Sequence, residues 1–113
     1  MELSIGIYTN NSEKWIGKVL KRLYPYLLGN TELIIFDDMS TDETVPILVS
    51  TIGRDFLEEE KYKFYINTSK KGLEETIKNI NKVKTTDKLL IISQNINKRQ
   101  LEKKVRDLLN DKN

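Results

Sequence analysis

The sequence predicts one α/β domain, a three-layer Rossmann-like half-domain with a mostly parallel sheet of about four strands. Its length of 113 residues suits a single hydrophobic core, so residues 1–113 are treated as one domain. Four short apolar runs rich in β-branched residues alternate with longer segments of helical periodicity, which is typical of βαβ units. The chain has no cysteine and no histidine, which excludes a disulfide framework and thiolate or imidazole metal ligands.

The elements can be placed in order along the chain. Leu3 to Tyr8 is apolar almost throughout, as expected of a strand covered on both faces. The other predicted strands are Glu32 to Phe36, Tyr62 to Ile66 and Lys88 to Ile92. The predicted helices are Ser12 to Leu28, Asp42 to Ile52, Gly72 to Val83 and Asn97 to Leu109.

Several helix ends carry recognisable signals. Ser12 is expected to cap the first helix, and Pro46 must lie in the first turn of the second. Asn97 with Gln100 three residues later predicts a capping box. Arg54 to Lys61 is charged and poorly periodic, and we interpret it as an exposed helical turn and loop.

The charge balance narrows the possible partners. Nineteen basic and seventeen acidic residues give a net charge of +2, which by itself indicates neither nucleic acid nor a membrane. The chain has no apolar run of about 18 residues and no signal-peptide pattern at its start, so the cytoplasm is the expected compartment. The late basic segment is interpreted as a solvated helix face, with an anion-facing patch as the alternative; its basic residues are Lys98, Arg99, Lys103, Lys104 and Arg106.

Polar segments follow all four predicted strands. The carboxyl ends of parallel strands share one edge of a sheet, and ligands of open α/β sheets bind there. Asp37 and Asp38 leave an apolar strand, where fixed acceptors suit a base N–H or a ribose hydroxyl. The alternative is that an aspartate only starts a turn and Ser40 caps a helix. The polar segments are 9–11, 37–38, 67–71 and 93–95.

Three segments resemble the nucleotide-binding first half of the family 2 glycosyltransferases: Ser4 to Ile16, Ile34 to Thr44, and Asn67 to Leu73. The family pattern is an apolar strand entering Pro-Thr-Tyr-Asn, then Val-Asp-Asp-Gly-Ser-Thr-Asp, then Asn and a Gly that opens a helix. The resemblance implies the glycosyltransferase A fold with strand order 3-2-1-4 and hexosyl transfer from a UDP-sugar. It covers nearly the whole chain but only the first half of such enzymes, so it implies truncation after the Asp-x-Asp position.

The resemblance also implies which residues hold the nucleotide. Thr9 matches the family threonine of the nucleotide pocket, and Asp37 and Asp38 match an aspartate pair of which one typically accepts the uracil imide hydrogen. Met39 replaces the usual glycine. The implied nucleotide-binding residues are Thr9, Asn11, Asp37, Asp38 and Asn67, and the catalytic residues stay unassigned.

The sequence departs from the family at the Asp-x-Asp motif, which holds Mg²⁺ or Mn²⁺ against the departing diphosphate. Ser93 and Asn95 occupy this motif and offer only neutral oxygens. Lys70 or Lys71 could partly replace the metal as a counter-charge. We therefore expect no metal site and no catalysis by the isolated domain, with self-association or a partner supplying the acceptor half.

Two other classes remain open. A non-catalytic interaction module could keep this fold and lose nucleotide binding. A receiver-like phosphoacceptor domain would use Asp37 and Asp38 with Lys70 and Lys71, but receivers place their acidic pair after the first strand rather than the second. The interaction module would be distinguished from the transferase by its failure to bind any nucleotide.

Overall fold

The computed structural model describes residues 2–55 and 61–110, in which four strands and four helices alternate. The strands are β1 (Leu3–Thr9), β2 (Thr31–Asp37), β3 (Tyr62–Ile66) and β4 (Leu89–Ile92), and the helices are α1 (Ile16–Leu27), α2 (Thr44–Asp55), α3 (Gly72–Val83) and α4 (Lys98–Leu109). Within these residues no helix has the length and apolar character needed to cross a membrane. The predicted number, type and order of elements are confirmed.

All strands lie parallel in one sheet of order β3-β2-β1-β4, as predicted. From β1 to β3 the chain moves in one direction across the sheet, and it then returns to the other side of β1. Right-handed crossovers therefore place α1 and α2 on one face and α3 on the opposite face. α4 packs on the same side as α1, which completes the three layers.

The larger core lies between the sheet and α1, α2 and α4. Strands β1 and β2 point alternate side chains into it, because successive strand residues face opposite sides. Helix α1 contributes five buried side chains at the spacing expected of one helical face. Each fully buried aliphatic side chain contributes roughly 2 kcal/mol. Core members include Ile5, Ile7, Leu33, Ile35, Leu20, Leu23, Leu48, Leu101 and Val105.

A smaller core lies beneath α3 on the other face and is built on Ile34, Phe36 and Ile80. Gly6 of β1 faces this helix, and a Cβ at that position would lie 2.9 Å from Ile80 Cγ2 and 3.1 Å from Ile91 Cδ1. The glycine therefore permits a close approach of α3 to the sheet. This approach brings the start of α3 against the carboxyl ends of β1 and β2.

Two predicted helix starts are wrong by a few residues. α1 begins at Ile16, and Ser12 does not cap it. The Ser12 hydroxyl accepts a hydrogen bond from the Asn10 N–H at 3.1 Å, so it stabilises the turn that precedes the helix. α2 begins at Thr44 rather than at residue 42, and Pro46 lies in its first turn as predicted.

The other helix boundaries agree better with prediction. The Asn97–Gln100 capping box of α4 is confirmed, with the Gln100 N–H donating to Asn97 Oδ1 at 2.8 Å. The predicted loop from Arg54 to Lys61 starts within α2, since Arg54 is helical, and its residues 56–60 lie outside the described residues.

A buried polar cluster lies at the amino-terminal end of the sheet. Glu32 is 3% exposed, and its Oε2 accepts hydrogen bonds from the Ser4 hydroxyl and from the Thr85 N–H at 2.6 Å. The Ser4 hydroxyl lies 2.8 Å from Thr86 Oγ1, and Lys63 Nζ lies 3.8 Å from Glu32 Oε1. Burial alone would raise the pKa of Glu32, but these hydrogen bonds and the Lys63 charge lower it overall.

Candidate functional site

The carboxyl ends of the strands and the loops that follow them form one polar edge, which we call the rim (residues 9–15, 37–43, 67–71 and 93–97). Thr9 lies opposite Asp37, and Asp37 lies opposite Ile66. The strand order reverses between β1 and β4, and ligands of open α/β sheets bind at such a reversal. The rim therefore has the position expected of a ligand site.

Asp37 ends β2 and is fully buried on the side of the sheet that faces α1 and α2. Its Oδ1 accepts hydrogen bonds from the hydroxyls of Thr9 at 2.7 Å and Ser40 at 2.6 Å. Its Oδ2 accepts from the Ser40 N–H at 3.0 Å. Asp37 therefore joins β1 to β2 and starts a turn, while Ser40 completes that turn and caps no helix.

Asp38 points to the opposite face, toward α3, and is also fully buried. Its Oδ1 accepts hydrogen bonds from Asn67 Nδ2 at 3.1 Å and from the Lys71 N–H at 2.9 Å. Its Oδ2 accepts from the Tyr8 hydroxyl at 2.7 Å and from the Gly72 N–H at 2.9 Å. No local side chain caps α3. Asp38 therefore caps this helix from 33 residues away and places a negative charge at its positive end.

The hydrogen bonds shift the pKa values of Tyr8 and Asp38 in opposite directions. Burial alone would raise the pKa of Asp38, but the four donated hydrogen bonds lower it to about 2. Burial, the hydrogen bond to Asp38 and the nearby negative charges raise the pKa of Tyr8 to about 12. At neutral pH the pair is a neutral donor facing a charged acceptor.

Asn11 connects the β1–α1 loop to the β2–α2 loop. Its Oδ1 accepts hydrogen bonds from the N–H groups of Thr41 at 2.8 Å and Asp42 at 3.3 Å, and its own N–H donates to Ser40 Oγ at 2.8 Å. Its φ of 52° is a left-handed conformation that asparagine tolerates better than most residues. Asn11 is exposed at the rim surface.

Met39 has a φ of 58° at the position where the family usually has glycine. The left-handed region costs a non-glycine residue about 1 kcal/mol, and Met39 is 48% exposed, so its removal loses little packing. We expect Met39→Gly to raise the free energy of unfolding by about 0.5 kcal/mol after the added unfolded-state entropy is subtracted. Urea unfolding measures this change.

Asn11→Gly is the matched control, because Asn11 has a similar φ. Its side chain accepts hydrogen bonds from two backbone N–H groups, which the glycine variant would leave without this acceptor. We expect a net loss of stability of about 1 kcal/mol. Equal stabilisation by both changes would show that φ alone decides the outcome at these positions.

The segment at the family's acidic motif follows β4, and its residues Ser93 and Asn95 are exposed. Asn95 Oδ1 accepts a hydrogen bond from Arg22 Nη1 at 3.1 Å. Among residues 2–55 and 61–110, no group of three or more potential metal-ligating side chains could hold an ion. Neutral oxygens beside a guanidinium do not fit the Mg²⁺ or Mn²⁺ of the family.

The structure brings the predicted site residues into one hydrogen-bonded network, to which Asn11 is connected through the Ser40 hydroxyl. From its position at a strand end, Tyr8 was a further residue that could lie against a base. In the structure its hydroxyl donates a hydrogen bond to Asp38. Arg22 was missed, because nothing in the spacing of α1 connects it with residue 95. The network contains Tyr8, Thr9, Asp37, Asp38 and Asn67.

The fold is that of a glycosyltransferase-A-like α/β protein. The crystal structure of S. aureus TarS 1-349 matches with a TM-score of 0.70 at 24% identity, over 94% of this chain and 32% of that chain. Its complex with UDP matches at 0.69 and 24%, covering 94% and 31%, and its complex with UDP-GlcNAc at 0.69 and 23%, covering 94% and 30%. The chain thus spans about a third of these structures.

The sequence identifies the family. The family model described as Glycosyl transferase family 2 matches residues 4–95, which is most of the 113 residues. The chain therefore belongs to glycosyl transferase family 2, as the resemblance predicted. A comparison with curated proteins gives no significant match.

Proposed function

We propose that the rim binds a UDP-sugar, as the nucleotide-sugar-binding half of a family 2 glycosyltransferase that transfers a hexosyl group. The observation that carries this proposal is that the family match over residues 4–95 contains the whole hydrogen-bonded network around Thr9, Asp37, Asp38 and Asn67. Structures of TarS with UDP and with UDP-GlcNAc share the fold. The cytoplasm is the proposed compartment.

One of the two carboxylates, Asp37 or Asp38, is the proposed acceptor for the N3–H of uracil. Both are buried, and their oxygens accept hydrogen bonds from the protein. A bound uracil would therefore have to replace an internal donor. The Tyr8 hydroxyl is the donor proposed to leave Asp38. The Lys71 and Gly72 N–H groups begin α3, and Asn67 is also held by its own N–H, which donates to the Asp37 carbonyl oxygen.

We do not expect this domain alone to transfer the sugar. Without carboxylates at Ser93 and Asn95, a loss of about 4 kcal/mol of charge stabilisation would slow transfer roughly a thousandfold. The acceptor site and the catalytic base would come from a further segment of chain, a partner or a second copy.

Uracil and cytosine diphosphates provide the test. We expect the protein to bind UDP at least about tenfold more tightly than CDP, because cytosine has no N3–H and would place an acceptor against a carboxylate. Isothermal titration calorimetry with both nucleotides measures the ratio. Equal affinities, or no UDP binding, would refute the proposal.

Tyr8→Phe identifies the carboxylate that reads the base. Removing the hydroxyl frees one acceptor site on Asp38, so UDP affinity should rise about fivefold. Tyr65→Phe is the control. Tyr65 stacks on Phe36, which lies opposite Tyr8 in the sheet, and among the described contacts no hydrogen bond joins the Tyr65 hydroxyl to Asp38. An unchanged affinity in Tyr8→Phe would exclude Asp38 as the acceptor.

Among the described residues, every buried polar side-chain atom of the rim has a hydrogen-bond partner within the protein, and this favours a second candidate function. Within the described residues no buried side-chain nitrogen or oxygen lacks a hydrogen-bond partner, so the network is stable without a ligand. A non-catalytic interaction module would have this property. Failure of UDP, CDP and UDP-sugars alike to bind the folded protein would favour that module.

A further inference from the structure

We infer that the outer face of α1 and α4 is a docking surface for an anionic lipid bilayer. The two helices together carry eight basic and two acidic residues, whereas the rest of the chain carries eleven basic and fifteen acidic residues. Their 24 residues thus have a charge of +6, and the remaining 89 residues have a charge of −4. This separation is hidden in the net charge of +2.

The basic residues form one stripe along each helix. On α4 the buried positions are Leu101 and Val105, so residues at the spacing i, i+4, i+7 from position 99 point away from the core. On α1 the positions 18 and 21 lie opposite the buried face in the same way. The stripes consist of Lys18 and Lys21 on α1 and of Arg99, Lys103 and Arg106 on α4, and all five are exposed.

The fold brings the two stripes together. α1 and α4 follow the neighbouring strands β1 and β4 on the same face of the sheet. The Arg22 guanidinium of α1 bonds Asn95, which lies just before α4. Tyr26 of α1 and Leu108 of α4 pack against the same core cluster. The stripes therefore form one basic surface.

Exposed apolar side chains at one margin of this surface favour lipid over nucleic acid. Leu28 directly follows α1 and is 67% exposed, and Leu109 ends α4 and is 41% exposed. Both helices begin near the rim and run toward the amino-terminal end of the sheet. Leu28 and Leu109 therefore lie at the end of the basic surface that is far from the rim. On a bilayer, basic side chains bind the anionic headgroups and leucine side chains insert at the acyl boundary. The phosphate backbone of a nucleic acid would leave the leucine side chains without an apolar partner. Docking in this way leaves the rim open.

Vesicle co-sedimentation tests the inference on the full chain. We expect binding to vesicles of phosphatidylcholine with one-third phosphatidylglycerol, weakening with added salt, and none to pure phosphatidylcholine. Each basic residue near the surface raises partitioning about fivefold, so Lys21→Glu/Arg99→Glu should reduce it more than about tenfold. The control Lys78→Glu/Lys82→Glu makes the same charge change on α3, on the other face, and should retain binding.

Three results would overturn the inference. These are absence of binding to the anionic vesicles, equal losses in the two double variants, and tighter binding to duplex DNA than to vesicles. Leu28→Ser separates the last case, because it should weaken vesicle binding several-fold and leave any DNA binding unchanged. Circular dichroism of every variant confirms that the helices are retained, since all substituted positions are exposed.

Discussion

Asp38→Asn is expected to lower the free energy of unfolding by about 3 kcal/mol, because one carboxylate oxygen with two internal donors becomes an amide that is itself a donor. For a domain of this size the melting temperature should fall by roughly 10–20 °C. The loss should be concentrated in α3, whose first N–H groups bond Asp38. Thermal and urea unfolding measure the change, and hydrogen exchange locates it.

Asp107→Asn is the matched control, since Asp107 is exposed and bonds only Lys103 among the described contacts. We expect a change below about 0.5 kcal/mol. Similar losses in the two variants would contradict the role of Asp38 as the cap of α3.

The same carboxylate should govern acid unfolding. The folded-state pKa of Asp38 is about 2, below its usual value of 3.8, so its contribution is present above pH 4 and is lost as the pH falls toward 2. The size of this contribution is on the order of 2 kcal/mol. Stability measured across this range should fall less steeply in Asp38→Asn. Parallel curves for the wild type and the variant would show that other carboxylates control acid unfolding.

Metal dependence is expected to appear only when the acidic motif is restored. Mn²⁺ should change the UDP affinity of the wild type less than about twofold, because Ser93 and Asn95 offer neutral oxygens and Arg22 bonds one of them. Ser93→Asp/Asn95→Asp should give an enhancement of about tenfold or more. Titration calorimetry with and without Mn²⁺ measures the ratio.

The hydrogen bond between Arg22 and Asn95 would affect metal binding in the double variant. A carboxylate at position 95 would face the guanidinium and form an ion pair that competes with the metal. Adding Arg22→Gln to the double variant should therefore increase the Mn²⁺ effect further, whereas Arg22→Gln alone should show none. A large enhancement already present in the wild type would mean that residues 93–95 do bind the ion.

Sequence reasoning gave the fold because its signals are local. Apolar strands, helical stripes and the Asn97–Gln100 box are readable within a dozen residues, and the strand order followed from the family resemblance. The prediction that Thr9, Asp37, Asp38 and Asn67 lie close together is confirmed. The hydrogen bonds from Thr9 to Asp37 and from Asn67 to Asp38 were not predictable, because each joins residues about 30 positions apart.

The remaining differences have several origins. Ser12 looked like a cap, but its hydroxyl bonds the N–H of Asn10 in a turn that the sequence does not reveal. The basic residues of α4 are exposed, as expected of a solvated face, and only the sheet order places them beside those of α1. Met39 carries strain that depends on φ, which no composition or periodicity reports.

The buried cluster around Glu32 has a consequence for folding. Sliding β2 by two residues along β1 would keep the same side chains facing inward, so hydrophobic burial alone barely distinguishes the two alignments. Such a slip would separate the Glu32 carboxylate from Ser4 and Thr85 and leave a buried charge without its donors, at a cost of several kcal/mol. The acid therefore penalises misassembled sheets, and the chain should reach a single strand alignment.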